Sequence, residues 1–278
     1  VVDDFRSGDF RNLRGFGGDF VTADVSRLDW HRQFGDAQFD VIFHEASITD
    51  TTVHDQALQA HDNIEGFRRL LEFAAPNQTP VVYASSAATY GITSGVNRED
   101  QPPAPANIYA FSKVHLDNLA RRHARRHASW RIVGLRYFNV YGPREAHKKA
   151  AASMIYQLYL QMKAGRRPRV FRAGEHQRDF VYVKDVVAAT IAAATAPRSG
   201  IYNCGCGQPF SFNEVIAELN RALGTSLEPE YFENPYAFYQ PHTEADMTKA
   251  RTELSFSPQY PPARGIADYV ALLEQGVV

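Results

Sequence analysis

The sequence has little cysteine, and this scarcity excludes two classes of protein. Among 278 residues the cysteines are Cys204 and Cys206, one residue apart in a glycine-rich stretch. Two thiols cannot form the disulfide framework of a small secreted protein, nor supply the four ligands of a structural zinc site. We therefore predict two reduced thiols, no metal site and a cytoplasmic protein.

Long apolar runs and an excess of charge of one sign are also absent. The longest apolar stretches, such as residues 185–196, are far shorter than the roughly 20 residues that cross a bilayer. No charged-then-apolar signal segment opens the chain. Thirty basic and 31 acidic residues give a net charge of −1, so no positive field points to nucleic acid as the partner. We expect neither a membrane nor a nucleic acid partner.

Short apolar runs alternate with helical periods, which predicts the fold class. Predicted strands at 20–22, 39–43, 80–83 and 131–135 are separated by enough chain for crossover helices. Their continuous apolar character is typical of strands covered on both faces. The pattern predicts an α/β fold with a doubly wound, Rossmann-like parallel sheet. The predicted helices cover residues 63–75, 109–127, 151–164, 183–196 and 211–223, the last with a capping box at Ser211 and Glu214.

The alternation weakens after about Val170, where proline and aromatic content rise. We interpret residues 1–169 as a domain of the kind that binds dinucleotides. Residues 170–278 are interpreted mainly as a smaller C-terminal α/β substrate lobe, with some segments returning to the sheet.

Tyr109 and Lys113 lie four positions apart, on one face of a predicted helix. A nearby cation favours phenolate, so the lysine should move the pKa of the phenol from about 10 towards neutral and fit it for acid–base catalysis. Ser85 and Ser86 follow an apolar strand, at the edge where doubly wound sheets hold ligands. Strand alternation leaves open which serine faces the site, and we favour Ser86.

The order of these motifs resembles the extended short-chain dehydrogenase/reductase family over nearly the whole chain. The serine strand and the Tyr109/Lys113 pair are followed by Arg136-Tyr-Phe-Asn-Val-Tyr-Gly-Pro-Arg144, and residues 178–185 and 202–205 match further landmarks. Within the family the chain is similar to the ADP-heptose 6-epimerase subgroup at residues 44–47, 139–148 and 239–246. Glu145-Ala-His-Lys148 is the mark of that subgroup.

The resemblance implies an isomerase, a nucleotide-sugar epimerase that consumes no cofactor. An oxidised nicotinamide takes a hydride from C6 of an ADP-linked heptose and returns it to the opposite face. Inversion needs a proton acceptor and donor on each face of the carbon. By resemblance Tyr109 serves one face and Lys148 the other. Lys113 tunes Tyr109 and binds the nicotinamide ribose, and Ser86 hydrogen-bonds the reacting oxygen.

Cofactor positions also follow from the resemblance. Asp3 and Asp4 end the second strand of a nucleotide-binding unit, where a carboxylate binds the adenosine ribose. Such a carboxylate favours NAD, whereas Arg6 and Arg11 could pair with a 2′-phosphate and the subgroup commonly uses NADP. We favour NADP, with NAD as the alternative. The other matching positions are Glu45, Ala46, Ser47, Ile48, Thr49, Asn63, Lys113, Val140 and Lys148.

Substrate positions are less uniform. Arg178 is the strongest candidate because a guanidinium can bind a diphosphate with paired hydrogen bonds. The chain departs from the subgroup at Lys149-Ala150, at Gln157 and at residues 172–174, where Gly-Ser, His and an acidic-Gly-Ser run are common. These departures put the substrate in doubt and leave the redox chemistry intact. The matching positions are Ser86, Asn139, Ala150, Gln157, Phe171, Arg172, Ala173, Gly174, Arg178 and Tyr239.

A dinucleotide site also needs a first strand and a glycine-rich turn at a helix start. No such turn follows a strand in this sequence, and residues 15–18 are preceded by polar sequence. We therefore expect an upstream truncation that removed one strand, the turn and one helix, roughly 30 residues. Restoring that segment should raise cofactor affinity sharply.

Two alternatives stay open. One is a UDP-sugar 4-epimerase or another nucleotide-sugar epimerase of the same family. A dehydratase is disfavoured because Ala87-Ala88-Thr89 stand where it would carry an Asp-Glu pair. The other is a non-catalytic nicotinamide-binding protein, which would typically lack the Tyr/Lys pair. The resemblance further implies a homo-oligomer that acts on a lipopolysaccharide-core precursor.

Overall fold

The computed structural model describes residues 1–49, 55–171, 173–233 and 240–277. Two predicted substrate contacts, Arg172 and Tyr239, lie outside the described residues. Among the described helices, none is long and apolar enough to span a bilayer.

Most strands of the chain are short. They are β1 (Val2–Asp3), β2 (Val21–Thr22), β3 (Ile42–His44), β4 (Val81–Ser86), β5 (Val96–Asn97), β6 (Ile132–Tyr137), β7 (Asn139–Tyr141), β8 (Arg169–Phe171), β9 (Gln177–Tyr182), β10 (Gly200–Cys204), β11 (Pro209–Ser211), β12 (Glu230–Phe232) and β13 (Glu244–Ala245).

The helices are α1 (Trp30–Phe34), α2 (Gln56–Ala74), α3 (Ile108–Arg126), α4 (Met154–Lys163), α5 (Val183–Ala194), α6 (Phe212–Leu223), α7 (Thr248–Glu253) and α8 (Pro262–Glu274). The predicted capping box on α6 is confirmed. Two predicted starts are wrong: α2 begins seven residues earlier because Asp55 caps it, and α4 begins later because Ser153 caps it. The strand expected at 39–43 is shifted to β3.

The central sheet contains four parallel strands in the order β10-β6-β4-β3. β1 and β2 form a separate parallel pair. A second sheet has the order β11-β9-β7, with β7 parallel and β11 antiparallel to β9. The pairs β8–β12 and β5–β13 are parallel. β10, which comes after residue 170, joins this central sheet by pairing with β6.

Helices cover both faces of the central sheet. On β4, Val81 and Tyr83 belong to a core cluster with residues of α2 and α3, whereas Val82 belongs to a cluster with Val186 and Ala189 of α5. Successive strand side chains point to opposite faces, so two buried faces require a continuous apolar strand. The doubly wound α/β architecture is confirmed.

A third core cluster lies outside this sheet. It combines α4, α6 and α8 with β9, around residues such as Tyr269, which is fully buried. Tyr141 and α4, which precede residue 170, pack in this cluster as well. This core supports the segment between β7 and α4, which carries Lys148.

Candidate active site

The carboxyl end of β4 and the first turns of α3 bring three predicted catalytic side chains together. Asn107 caps α3 by accepting a hydrogen bond from the Ala110 amide at 2.8 Å, which places Tyr109 and Lys113 on successive turns. The Ser86 hydroxyl, at the end of β4, lies close enough to the Tyr109 phenol to influence its pKa. The Lys113 amine lies 5.7 Å from the centre of the Tyr109 ring.

The two serines of β4 have different surroundings. Besides facing Tyr109, the Ser86 hydroxyl accepts a hydrogen bond from the Ala88 amide at 3.1 Å. The Ser85 hydroxyl is buried and has no hydrogen-bond partner within the described part of the chain. Of the two, it is therefore Ser86 that the geometry joins to Tyr109.

Lys113 is fully buried and tied to the sheet. Its amine donates to the Ala84 carbonyl at 2.7 Å. Burial lowers the pKa of Lys113 to about 8, against the opposing influence of the Glu45 and Asp117 carboxylates. At neutral pH most of the lysine is protonated, with its charge directed at a backbone carbonyl.

The expected lowering of the Tyr109 pKa by Lys113 is not found. Burial raises the pKa of Tyr109 above its ordinary value of 10.0, and the neighbouring Ser86 hydroxyl opposes the rise. The physical reason is geometric: the Lys113 amine donates to the Ala84 carbonyl and lies over the Tyr109 ring, 5.7 Å from its centre. The structure thus holds Tyr109 as a neutral phenol.

Glu45 follows β3 at the same edge of the sheet. The Tyr137 hydroxyl lies 3.2 Å from both Glu45 carboxylate oxygens and donates to them. The Tyr137 hydroxyl oxygen lies 2.9 Å from that of Thr190 on α5. The contact with Tyr137 holds the Glu45 carboxylate near the end of β4. From there its charge raises the pKa of Lys113.

A pocket of about 90 Å³ lies between the ends of β1, β2 and β3. The Asn63 side chain shapes it by binding both the amide and the carbonyl of Ile48, at 2.8 and 3.1 Å. The Ser47 hydroxyl is buried and has no partner among the described residues. Six predicted cofactor residues line this pocket: Asp3, Asp4, Ala46, Ser47, Ile48 and Asn63.

The remaining predicted cofactor residues do not line the pocket. Thr49 is exposed beyond it, and Val140 is half-buried in β7. Sequence reasoning did not place Asp24 and Val25 in the site, although they line the pocket directly after β2. A carboxylate just after a parallel strand was the signal that could have found Asp24, because such strand ends share one edge. Further lining residues are Arg6, Ser7, Ala23 and Asp62.

Carboxylates surround Arg6 at this pocket. Its guanidinium lies 2.8 Å from Asp62 and 3.1 Å from both Asp4 and Asp24. Arg11, the other arginine considered for a 2′-phosphate, is exposed and paired with Asp9 at 2.5 Å. Both guanidiniums are therefore already compensated by carboxylates of this chain.

These features fit a nicotinamide dinucleotide at its two ends. Carboxylates at the end of β1 can accept hydrogen bonds from a ribose, and the unpartnered Ser47 hydroxyl is available to a ligand. The buried Lys113 and the neighbouring Tyr109, near the carboxyl end of β4, would meet the nicotinamide end. Within the sequence, no glycine-rich turn of the expected form follows a strand to receive the pyrophosphate.

Lys148 lies in a 3-10 helical segment, Ala146–Ala151, between β7 and α4. Its side chain is exposed and forms no ion pair with any residue that the structure describes. Lys149 has φ 52° and ψ −118°, and its carbonyl accepts a hydrogen bond from the Gln157 side-chain amide at 2.6 Å. Gln157 is thus engaged with this segment, with its carbonyl oxygen left for a ligand.

Apart from Ser86 and Gln157, the predicted substrate residues that the structure describes fall into two groups. Asn139 and Arg178 lie on the paired strands β7 and β9, and the Thr243 hydroxyl donates to the side-chain oxygen Oδ1 of Asn139 at 3.4 Å. Arg178 is largely buried, with one nitrogen donating to the Gln177 carbonyl at 2.8 Å. The second group adjoins the ends of β8 and of the Lys148 segment: Phe171, Ala173, Gly174 and Ala150.

Comparison with known proteins gives a consistent assignment. Residues 3–205 match the model of the NAD dependent epimerase/dehydratase family. A solved ADP-L-glycero-D-manno-heptose-6-epimerase from Helicobacter pylori is 39% identical, with a TM-score of 0.91 over 99% of this chain and 87% of that one. A UDP-glucose 4-epimerase from Thermotoga maritima is 27% identical, with a TM-score of 0.91 over 100% and 91% of the chains. A UDP-glucuronic acid 4-epimerase from Bacillus cereus, solved with NAD, is 25% identical, with a TM-score of 0.85 over 100% and 90%.

Proposed function

Because the chain belongs to the NAD dependent epimerase/dehydratase family, we propose that it interconverts the C6 epimers of an ADP-linked heptose, ADP-D-glycero-D-manno-heptose and ADP-L-glycero-D-manno-heptose. The observation that carries the catalytic part is the meeting of Ser86, Tyr109 and Lys113 at the end of β4. The substrate is supported by the Glu145-Ala-His-Lys148 motif and by the similarity to the Helicobacter pylori enzyme.

A bound nicotinamide would supply the hydride acceptor and donor. Tyr109 transfers the hydroxyl proton on one face of the carbon, with the Ser86 hydroxyl orienting the reacting oxygen. Lys113, held by its hydrogen bond to the Ala84 carbonyl, would bind the nicotinamide ribose. Lys148, exposed on a segment outside the central sheet, transfers the proton on the other face.

The substrate diphosphate is assigned to Arg178, whose guanidinium suits paired hydrogen bonds to phosphate oxygens. Asn139 on the neighbouring strand and Gln157 on α4 approach the sugar in this proposal. We also propose a cytoplasmic homo-oligomer that supplies a lipopolysaccharide-core precursor, as the subgroup resemblance implies.

The charges around the adenosine end support NAD over the NADP favoured by the sequence alone. Asp3, Asp4, Asp24 and Asp62 line the pocket with Arg6 as the one guanidinium among its lining residues. A 2′-phosphate carries nearly two negative charges at pH 7 and would enter a pocket already rich in carboxylates. We therefore propose NAD as the resident cofactor. The mass of the nucleotide that co-purifies with the protein tests this choice.

The function itself is tested by incubation with the ADP-heptose epimers and with UDP-glucose, followed by NMR of the products. We expect inversion at C6 of the ADP-heptose. Inversion at C4 of the UDP-sugar would instead support the second candidate, a UDP-sugar 4-epimerase, for which the similarity to the Thermotoga maritima enzyme speaks. No turnover with any nucleotide sugar, with cofactor bound, would support a non-catalytic binding protein.

A further inference from the structure

A buried carboxylate, Glu145, lies three residues before Lys148. Its side chain accepts hydrogen bonds from the Ser153 amide at 2.6 Å, the Ser153 hydroxyl at 2.8 Å and the Tyr269 hydroxyl at 2.9 Å. The Gly142 amide also donates to Oε1 of Glu145, at 3.4 Å. No lysine, arginine or histidine in the described ranges forms an ion pair with it. A buried polar group is costly unless hydrogen-bonded, and these neutral donors satisfy the Glu145 carboxyl oxygens in the interior.

These donors come from both ends of the Lys148 segment. Gly142 directly follows β7, and Ser153 is the N-terminal cap of α4. The Glu145 carboxylate contacts both, so it closes residues 145–153 into a loop. Tyr269, on α8, ties the closure to the third core cluster. The loop thus rests on the third core cluster.

Within the loop, hydrogen bonds fix the backbone on either side of Lys148. The Lys148 amide donates to the Glu145 carbonyl at 3.0 Å. The Lys149 carbonyl accepts from the Ala152 amide at 3.1 Å and from Gln157 at 2.6 Å. Lys149 has a positive φ of 52°, which is unfavourable for a residue with a Cβ and persists when its surroundings hold it.

We propose that Glu145 is a positioning residue that aims the Lys148 amine at the reacting carbon by closing this loop. The proposal rests on the proposed function, which assigns proton transfer to Lys148. Glu145 touches no substrate in this account, since its carboxylate is buried and its acceptor sites face protein donors.

A double-mutant cycle tests the proposal, with the natural full-length protein. Glu145→Gln replaces an acceptor oxygen by a donor group, which cannot accept from Ser153. A displacement of about 1 Å in a catalytic group costs roughly 10²-fold in rate, so kcat should fall by about that factor while KM for the ADP-heptose stays unchanged. In a Lys148→Ala background the same substitution should cause no further loss, because Glu145 acts through Lys148.

Asp185→Asn is the matched control. Asp185 is equally buried and accepts hydrogen bonds from the amides of Gln259 and Tyr260, at 2.8 and 2.9 Å, away from the Lys148 loop. It should lower the unfolding midpoint comparably and leave kcat unchanged. Hydrogen exchange at residues 146–152 should rise in Glu145→Gln and stay unchanged in Asp185→Asn.

The outcomes separate the two proposals. If Lys148→Ala retains full turnover, the proposed role of Lys148 fails and the positioning proposal with it. If Lys148→Ala is strongly impaired and Glu145→Gln lowers its residual activity by the same factor as in the wild type, Lys148 keeps its role and Glu145 is only structural. Tyr269→Phe removes one donor to Glu145 without burying a new charge, so it repeats the cycle if Glu145→Gln fails to fold.

Discussion

Replacing Asp117 by Asn should destabilise the protein more than any surface charge change. The Asp117 and Arg136 side chains are each 1% exposed, with the carboxylate 2.9 Å from the guanidinium. The Tyr83 hydroxyl also donates to Asp117 at 3.0 Å, and the Arg136 guanidinium lies 4.6 Å from the centre of the Tyr90 ring. Asparagine would keep an acceptor for Tyr83 but would leave Arg136 as a buried charge without its counter-ion.

Removing one partner of a buried ion pair costs about 3–5 kcal/mol. At about 2–4 °C per kcal/mol for large domains, the Tm should fall by about 6–20 °C. The measurement is urea unfolding followed by circular dichroism, with a calorimetric Tm. The matched control is Glu230→Gln, whose partner Arg169 is 56% exposed. That exposed pair should contribute no more than about 1 kcal/mol.

A second control replaces both partners, as Asp117→Leu with Arg136→Met. Replacing a whole buried pair by apolar side chains is often close to neutral, so the double variant should regain most of the lost stability. If Asp117→Asn costs as little as Glu230→Gln, or if the double variant is less stable than the single one, the uncompensated-charge reasoning is refuted.

Three further outcomes are expected. Tyr109→Phe should reduce kcat by about 10²- to 10⁴-fold while cofactor binding by calorimetry is retained; unchanged turnover would remove Tyr109 from catalysis. The pKa of Lys113 is about 8 in the folded protein against an ordinary 10.5, so between these pH values the unfolded chain binds more protons and stability should rise with pH. The urea midpoint of the wild type should rise between pH 7.5 and pH 10, and that of Lys113→Met should not. An equal change in both proteins would contradict the lowered pKa of Lys113. NAD should bind at least about tenfold more tightly than NADP by calorimetry, and Asp24→Asn with Asp62→Asn should narrow that gap; tighter NADP binding would overturn the charge argument.

The sheet was predictable because its signals are local. Continuous apolar strands separated by crossover lengths predict two covered faces, and Val81, Val82 and Tyr83 are buried against different helices as that pattern requires. The boundaries of α2 and α4 were not predictable from apolar periodicity, because their first turns are fixed by the caps Asp55 and Ser153.

The environment of the site depends on contacts between distant residues. Tyr83 reaches Asp117 because Gly134 lies opposite it on β6, where a Cβ would come within 2.4 Å of the Tyr83 hydroxyl oxygen. From the sequence alone, a glycine inside a strand indicates a weakened strand or a close approach, and it does not identify which side chain fills the space. Likewise Glu145 meets Tyr269, 124 residues later in the chain, so no spacing near Lys148 indicates this contact. The motifs predicted which residues matter, and tertiary packing decided what surrounds them.

The two lysines of the site should therefore respond differently to the loss of a neighbouring carboxylate. Asp117 acts on buried Lys113 through its charge and raises its pKa, so Asp117→Asn should shift the alkaline limb of the kcat profile to lower pH. Glu145 is turned into the core towards neutral donors while Lys148 is exposed, so its loss should act through geometry. Glu145→Gln should lower kcat at every pH and leave that limb in place. A pH shift in Glu145→Gln as large as in Asp117→Asn would show that Glu145 acts through charge rather than position.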